Sequence, residues 1–348
     1  MNLDITDLLT FCVQEGGSDL HISAGEPPMI RRYGDIVKVE IPPLEPTEAR
    51  TLLYDIMNDK QRQLFEEHLE LDFSFSVPNV ARFRANIYMQ QRGLAGAFRV
   101  IPEKIRSMEE LGAPEVFKKL ARMPRGLVLV TGPTGSGKST TLASIIEYIN
   151  QNMAHHILTI EDPVEFIYEP KRSLINQREV GSDTHAFSNA LRAALREDPD
   201  VILIGEMRDL ETISLALTAA ETGHLVFGTL HTNSAPKTVD RIVDSFPGNE
   251  KAMVRAMLSE SLQGVISQTL LKRADGKGRV AAYEVMLGTP AVRNLIREDK
   301  VPQLSSVIQT STNIGMQTLG QHLKKLVAEG IVTEEEALSK VGDKAMFS

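Results

Sequence analysis

The sequence predicts an α/β protein of about two domains, and three observations support this. The chain has 348 residues, which at roughly 150 residues per domain suggests two domains. Its first hundred residues mix alternating, strand-like segments with helical patterns, as small α+β modules do. From residue 126 onward, short continuous apolar runs alternate with longer helical patterns. This rhythm favours a mostly parallel sheet with helices on both faces.

The N-terminal elements follow from local periodicity. Residues 4–14 form a short helical pattern, and 46–69 form the longest one, with Leu52, Leu53 and Ile56 on its apolar stripe. Strand-like alternation is found at residues 19–22, 36–41, 72–76, 80–89 and 95–101. We therefore place the first domain at 1–101, a linker at 102–114 and a second domain at 115–348.

The second domain has the α/β rhythm. Strands are predicted at residues 127–130, 157–160, 201–204 and 225–230, and helices at 139–150 and 210–221. The pattern past about residue 253 is largely helical, and a helical C-terminal subregion is expected over about 290–348. The last residues, 343–348, are expected to fray.

Composition excludes several classes of protein. The net charge of −8 disfavours a protein that coats nucleic acid, because phosphate binding requires a positive surface. The single cysteine, Cys12, excludes an internal disulfide framework and is expected to be a small buried residue. No apolar run approaches the ~18 residues of a membrane span, and the acidic N-terminus does not resemble a signal peptide.

A phosphate-binding loop is the strongest motif. The pattern G-x-x-x-x-G-K-[ST] lies between an apolar strand and a helix, as the motif requires. Its glycines let successive backbone N–H groups face an anion at a helix N-terminus. Lys138 is expected to reach the β- and γ-phosphates of ATP, and the Ser139 hydroxyl to bind Mg²⁺. The predicted nucleotide-binding residues of the loop are Gly132, Pro133, Thr134, Gly135, Ser136, Gly137, Lys138, Ser139 and Thr140.

Acidic side chains follow two further predicted strands, where ligands of open α/β sheets bind. The strand 201–204 is followed by Gly205 where the usual Walker B motif has Asp, and then by Glu206. Glu206 is the predicted general base and a water-mediated Mg²⁺ ligand, with a charge at the start of the next helix as the alternative. Glu161, Asp162 and Glu165 follow the strand 157–160, and which of them acts at Mg²⁺ is left open.

Two histidines flank the strand 225–230. His231 lies at its carboxyl end, where it could contact the γ-phosphate, and we predict a catalytic role. His224 lies at the other end of the strand. Binding at the nucleotide site and a structural or interface role are equally compatible with this position. The adjacent His155 and His156 point apart and are not expected to hold a metal.

Four motifs in order resemble the secretion ATPase superfamily: GPTGSGKST, ILTIEDPVEF, ILIGEMRDLET and TGHLVFGTLHTNSA. Within it, the chain is most similar to the type IV pilus retraction motors, a resemblance that extends to AVRNLIRE at 291–298 and covers nearly the whole chain. It implies a PAS-like N-terminal domain, a RecA-like ATPase domain and a cytoplasmic homohexamer. The ring would drive pilus retraction through a platform protein in the inner membrane.

A basic window interrupts the acidic N-terminal domain. No acid occurs from 73 to 102, whereas Arg82, Arg84, Arg92 and Arg99 all fall there. A tight hairpin centred between residues 91 and 92 would place Arg84 opposite Arg99, where like charges repel. With no acid in the window, we expect an anion from elsewhere. The resemblance supports these two residues as arginine fingers toward a neighbouring subunit's γ-phosphate. The alternative is a solvated face, or pairing with the acids at 66–72.

The sequence disfavours three other functions. A motor for pilus assembly or type II secretion is disfavoured by the short N-terminus and by AVRNLIRE. A regulatory ATP-binding paralogue is disfavoured because Lys138, Ser139 and Glu206 are all present. A nucleic-acid motor is disfavoured by the net charge of −8.

Overall fold

The computed structural model describes residues 3–32, 34–101 and 104–341. The chain divides into two compact units, Met1–Lys104 and Ile105–Ser348. Of the predicted linker, residues 102 and 103 lie outside the described residues, as does the terminal segment 343–348 that was expected to fray.

The first unit is built on an antiparallel sheet. Its described strands follow the order β3-β2-β1-β6-β5-β4. Its elements are α1 (Ile5–Gln14), β1 (Asp19–Ser23), β2 (Met29–Arg32), β3 (Asp35–Lys38), α2 (Pro46–Asp55), α3 (Asp59–His68), β4 (Glu70–Val77), β5 (Ala81–Gln90) and β6 (Gly93–Ile101). The alternation in β5 buries Phe83, Ala85 and Ile87, so its arginines lie on the opposite face.

Two predictions for this unit are wrong. The single long helix over 46–69 is instead two helices, α2 and α3. The break occurs because Asn58 caps α3: its side chain accepts a hydrogen bond from the Gln61 backbone N–H at 2.9 Å, and the Gln61 Oε1 accepts one from the Asn58 backbone N–H. The strand β2 was missed, since a four-residue strand has too little periodicity to detect.

The second unit contains the parallel sheet. Its described strands follow the order β13-β12-β7-β11-β10-β8-β9. Its helices and strands are α4 (Val116–Ala121), β7 (Gly126–Thr131), α5 (Lys138–Asn152), β8 (His156–Glu161), β9 (Leu174–Glu179), α6 (Phe187–Ala194), β10 (Val201–Ile204), α7 (Leu210–Glu221), β11 (Leu225–Leu230), α8 (Ala235–Asp244), α9 (Lys251–Ser261), β12 (Leu262–Lys272), β13 (Arg279–Leu287), α10 (Pro290–Arg297), α11 (Leu304–Thr310), α12 (Leu319–Ala328) and α13 (Glu334–Lys340).

The sheet is covered on both faces, as predicted. Alternate residues of β7 enter different cores: Leu127 and Leu129 pack in the cluster that contains α7 side chains, and Val128 and Val130 pack in the cluster that contains α5 side chains. Because β7, β8, β10 and β11 run parallel, their carboxyl ends lie at one edge of the sheet.

The expectation of a largely helical region past residue 253 is wrong for β12 and β13. These two long antiparallel strands are joined by a turn that contains Asp275, Gly276 and Gly278. An Asp-Gly pair between apolar runs is a hairpin signal. The hairpin continues the parallel sheet, because β12 pairs in parallel with β7. The strand β9 was also missed, because its polar sequence LINQRE lacks a clear apolar alternation.

Candidate active site

The phosphate loop connects β7 to α5 with the glycine geometry that the motif requires. Gly132 has φ 147°. A Cβ atom at this position would lie 2.3 Å from the carbonyl oxygen of Gln268 and 2.6 Å from the Ser136 Oγ. No side chain fits there, so the loop can turn inward only with glycine. Lys138 is the first residue of α5, and the helix N-terminus therefore contributes its free N–H groups to the loop.

The Lys138 ammonium lies against the loop. Its Nζ donates to the Gly132 carbonyl oxygen at 2.8 Å and to the Pro133 carbonyl oxygen at 3.2 Å. Burial lowers the pKa of Lys138, while the charges of Glu206 and Glu165 act in the opposite direction. The two carboxylates thus favour the charged form of this lysine, which is the form that binds phosphate.

Two hydrogen bonds join the segment after β10 to Thr229 near the end of β11. The Met207 N–H donates to the Thr229 carbonyl oxygen at 3.0 Å, and the Thr229 hydroxyl donates to the Gly205 carbonyl oxygen. These bonds fix the segments that carry Glu206 and His231 beside each other. The backbone therefore sets the position of both side chains.

Glu206, His231 and Lys138 form a connected group. The His231 Nε2 lies 2.9 Å from the Glu206 Oε1, and the His231 Nδ1 lies 3.4 Å from the Lys138 Nζ. Glu206 is not the residue that caps the next helix. Asp209 caps α7 instead, because its carboxylate accepts from the Thr212 N–H at 2.8 Å.

Arg208 is a member of the site that the sequence reasoning missed. Its NH2 lies 2.7 Å from the Glu206 Oε2, and its NH1 lies 3.9 Å from an oxygen of Asp162. Burial opposes ionisation of Glu206, yet the bonds and charges of Arg208 and His231 hold the pKa of Glu206 below its ordinary value. Glu206 is therefore a carboxylate at neutral pH, as a group that orients a water must be.

The three acids after β8 are not equivalent. Burial raises the pKa of Glu161 to about 7, although Thr159 and Gln177 donate hydrogen bonds to its carboxylate. Asp162 faces Arg208, and the negative charge of Glu165 acts on Lys138. Over the described ranges, no three His, Cys, Asp or Glu side chains form a metal cage.

The donor set nevertheless fits Mg²⁺, which prefers hydroxyl, carboxylate and water oxygens and is held by few protein ligands. The Ser139 hydroxyl is carried by the first turn of α5. Glu206 is the carboxylate that His231 connects to Lys138. Glu161, Asp162 and Glu165 are the further carboxylates of this edge.

His224 lies away from this group. It precedes β11, at the opposite end of the strand from His231, about 20 Å away at 3.3 Å per residue. Its Nδ1 lies 3.0 Å from the Ala219 carbonyl oxygen near the end of α7. Within one chain, the fold does not bring His224 to the phosphate loop.

His155 and His156 also lie at the amino edge. His156 contacts the Asp198 carbonyl oxygen at 3.1 Å and the Asn176 side chain at 2.8 Å. The His155 Nδ1 lies 3.6 Å from an oxygen of Asp200.

In the first unit, the predicted arginine pair is present, and each arginine is paired with a carboxylate. Arg84 lies directly opposite Arg99 in the β5–β6 hairpin. The alternative of pairing with the acids at 66–72 is observed for Arg84, and Arg99 pairs with an acid from outside that cluster. Arg84 donates to both oxygens of Asp72, at 3.2 and 2.7 Å, and the Arg99 Nε donates to Asp19 at 2.9 Å. The carboxylates come from β4 and β1, on either side of the hairpin.

A cavity of about 630 Å³ lies beside the phosphate loop in the second unit. Its lining includes Gly137 and Thr140 of the loop, Arg106, Tyr283 of β13 and His322 of α12. The His322 Nδ1 accepts from the Tyr283 backbone N–H at 2.9 Å, and burial lowers the pKa of His322 to about 4. No sequence signal pointed to these residues, because the fold brings them to the loop from distant segments.

The comparisons with known proteins agree with this geometry. The family model of type II/IV secretion system proteins matches residues 2–277. The type IV pilus retractation ATPase PilT of Pseudomonas aeruginosa is 66% identical over 338 residues, which cover 97% of this chain and 98% of that protein. A twitching motility protein of Neisseria gonorrhoeae is 60% identical over 89% of this chain and 83% of its own length.

A solved structure is also similar over the full length. The crystal structure of the pilus retraction motor PilT with bound ADP has a TM-score of 0.92 and 50% identity, and the match covers 99% of this chain and 98% of that one.

Proposed function

The chain belongs to the type II/IV secretion system protein family and is a type IV pilus retraction ATPase, and we propose that it works as a homohexameric, Mg²⁺-dependent motor for twitching motility. The observation that carries this function is the contact of Glu206 with His231 and of His231 with Lys138. It joins a carboxylate, a histidine and the phosphate-loop lysine at one edge of the sheet.

Each side chain has a task in hydrolysis. Lys138 and the loop N–H groups hold the β- and γ-phosphates of ATP. Glu206, kept ionised by Arg208, orients and polarises the attacking water. His231 lies between Glu206 and Lys138, where its hydrogen bonds can respond to the γ-phosphate.

Mg²⁺ would supply positive charge against the negative charge that develops on the phosphate oxygens. The Ser139 hydroxyl would be its direct protein ligand, and Glu206 would hold one of its waters. Glu161, Asp162 and Glu165 are the candidates for further water-mediated contacts.

Arg84 and Arg99 are proposed as fingers that reach the γ-phosphate bound by a neighbouring subunit. Their side chains are 38% and 70% exposed. The bonds to Asp72 and Asp19 would hold the two guanidinium groups in the hairpin until a phosphate displaces the carboxylates. A role for His224 in nucleotide binding would likewise require a contact from a neighbouring subunit.

The proposed architecture is a PAS-like first unit and a RecA-like second unit. Among the described residues, no helix combines the length and apolar character needed to cross a membrane. We place the ring in the cytoplasm, at the inner membrane, where it would act on a polytopic platform protein and return pilins to the membrane. Neither nucleic acid nor a membrane span is part of this proposal.

The deciding experiment is a deletion strain complemented with wild-type protein or with Glu206→Gln. A retraction motor predicts surface pili that persist in the deletion strain but no longer retract, with motility restored only by the wild-type chain. Loss of pili would indicate an assembly or secretion motor instead. Absence of Mg-ATP turnover in the purified wild-type ring would favour a regulatory ATP-binding protein.

The finger assignment has its own test, which is a mixture of two inactive variants. Rings of Arg84→Ala or of Lys138→Ala alone are expected to lose ~10³-fold or more in turnover. Mixed rings should regain activity, because some interfaces then combine an intact loop with an intact finger. No recovery on mixing, or an unchanged rate for Arg84→Ala, would refute the shared site.

A further inference from the structure

We propose that Gln268 is a positioning residue that sets the conformation of the phosphate loop from the neighbouring strand. This inference rests on the proposed ATPase function. The strand β12 pairs in parallel with β7, with Ser267 beside Thr131, so Gln268 lies where β7 passes into the loop. The Gln268 side chain is buried, and its Nε2 donates to the Ser136 carbonyl oxygen at 2.7 Å.

The loop is also in close contact with the backbone of the same residue. A Cβ atom at position 132 would lie 2.3 Å from the Gln268 carbonyl oxygen. Gln268 thus touches the loop at two points, at Gly132 through its backbone and at Ser136 through its side chain. Movement toward β12 is blocked sterically, and movement away breaks the hydrogen bond.

The polar groups around this contact are unusually poorly satisfied. Within residues 104–341, the Gln268 Oε1, the Ser136 Oγ and the Thr131 Oγ1 are buried without a hydrogen-bond partner. A buried unpaired group is costly, and an apolar side chain at 268 would avoid one of these costs. It would, however, leave the Ser136 carbonyl oxygen without its donor. The hydrogen bond from the Gln268 side-chain amide to the Ser136 carbonyl oxygen is therefore the feature that distinguishes glutamine from an apolar residue here.

The strand that carries Gln268 is itself held in place. Tyr283 of β13 lies opposite Gln268, stacks on His322 at a ring distance of 5.7 Å, and donates its backbone N–H to that ring. A rigid β12–β13 hairpin gives the amide a fixed point from which to hold the loop.

The same strand supplies a matched control. Gln263 of β12 uses its Nε2 in the same way, donating to the Arg125 carbonyl oxygen at 3.0 Å just before β7 begins. It contacts the amino end of β7, whereas Gln268 contacts the phosphate loop. Replacing either glutamine with methionine keeps an unbranched side chain of similar length and removes the donor.

The test measures equilibrium binding of ADP and Mg-ATP together with steady-state turnover for Gln268→Met and Gln263→Met in the full-length protein. Gln268→Met is expected to raise Kd and KM about 10-fold and to leave kcat within about twofold, as loss of uniform binding does. Gln263→Met should leave Kd and KM unchanged. Unchanged Kd in Gln268→Met, or equal weakening in both variants, would overturn the proposal.

A second variant keeps the test decisive if Gln268→Met does not fold. Gln268→Glu retains size and polarity, but its carboxylate cannot donate to the Ser136 carbonyl oxygen and repels phosphate. It should bind nucleotide more than ~10-fold more weakly than wild type, and binding equal to wild type would contradict the role. Failure of the wild-type protein to bind any nucleotide would refute the ATPase function itself, which is a separate result.

Discussion

Two histidines at opposite ends of β11 differ in what they bond to. At the carboxyl edge, His231 contacts the side chains of Glu206 and Lys138. At the amino edge, His224 contacts a backbone carbonyl oxygen of α7, and His156 contacts that of Asp198. His231 thus bonds to side chains from two other segments, whereas the bond of His224 is to the backbone. Bonding partners therefore separate the two roles where residue type and exposure do not.

Among the variants that test this difference between the two edges, Glu206→Gln is expected to have the largest effect. Loss of the carboxylate removes the proposed water-polarising group and should lower kcat by ~10²–10⁴-fold, while ADP binding is retained. Asp200→Asn is the matched control at the amino edge, where Asp200 accepts from the His156 backbone N–H at 2.8 Å. Steady-state ATPase assays should show kcat within twofold for this control, and a comparable loss would erase the distinction between the edges.

A smaller effect is expected from the two histidines themselves. His231→Ala should lower kcat by about 10- to 100-fold, as removal of a general acid–base or positioning group does, with little change in Tm. His224→Ala should reduce stability by about 1 kcal/mol through the lost hydrogen bond, with kcat unchanged for folded protein. ATPase rates and thermal unfolding of both variants test this, and a kcat loss in His224→Ala would place that residue in the catalytic site.

The smallest effect concerns His322, a third histidine bonded to the backbone. Its pKa of about 4 lies below the ordinary 6.5 because of burial. As the pH falls, the unfolded chain takes up the proton first, so stability present above pH 6.5 is lost progressively down to pH 4. Between pH 6.5 and 5, this amounts to on the order of 1 kcal/mol in the free energy of unfolding.

His322→Asn should flatten that pH dependence, because the amide oxygen can still accept from the Tyr283 N–H but does not titrate. The exposed His68 of α3 provides the control, His68→Asn. The free energy of unfolding is measured at several pH values for the wild type, His322→Asn and His68→Asn, which gives one stability curve for each protein. Parallel curves for all three proteins would show that His322 is not kept neutral by the fold.

The parts of the site that were predictable are those encoded by consecutive residues. The phosphate loop, Glu206 and His231 each follow a recognisable apolar strand, and parallel strands bring such positions to one edge. Arg208 and Gln268 were not predictable, because their partners are set by loop geometry and by pairing between β7 and β12.

The acidic partners of the arginines in the basic window were not predictable for a related reason. The absence of acids from residues 73–102 is a property of one stretch of chain, but a strand in a sheet has neighbours from other stretches. Asp19 lies directly opposite Arg99 on β1. Asp72 lies on β4 opposite Asn86, diagonal to Arg84. The hairpin register could be derived from its own turn, whereas the identity of the flanking strands required the whole sheet.

The strand β7 begins at Gly126 and is followed directly by Gly132, and each glycine lies against a glutamine of β12. A Cβ atom at 126 would lie 2.5 Å from the Gln263 Cγ, just as one at 132 would meet Gln268. The pairing shifts by one residue between Leu262 and Gly264, where Gln263 is accommodated as a bulge. Because neither glycine carries a side chain, β12 can pack closely against both positions, and it can do so in only one alignment. A slip by one residue would press both glutamines onto side-chain-bearing positions, so the alignment of the phosphate loop is fixed when the sheet forms.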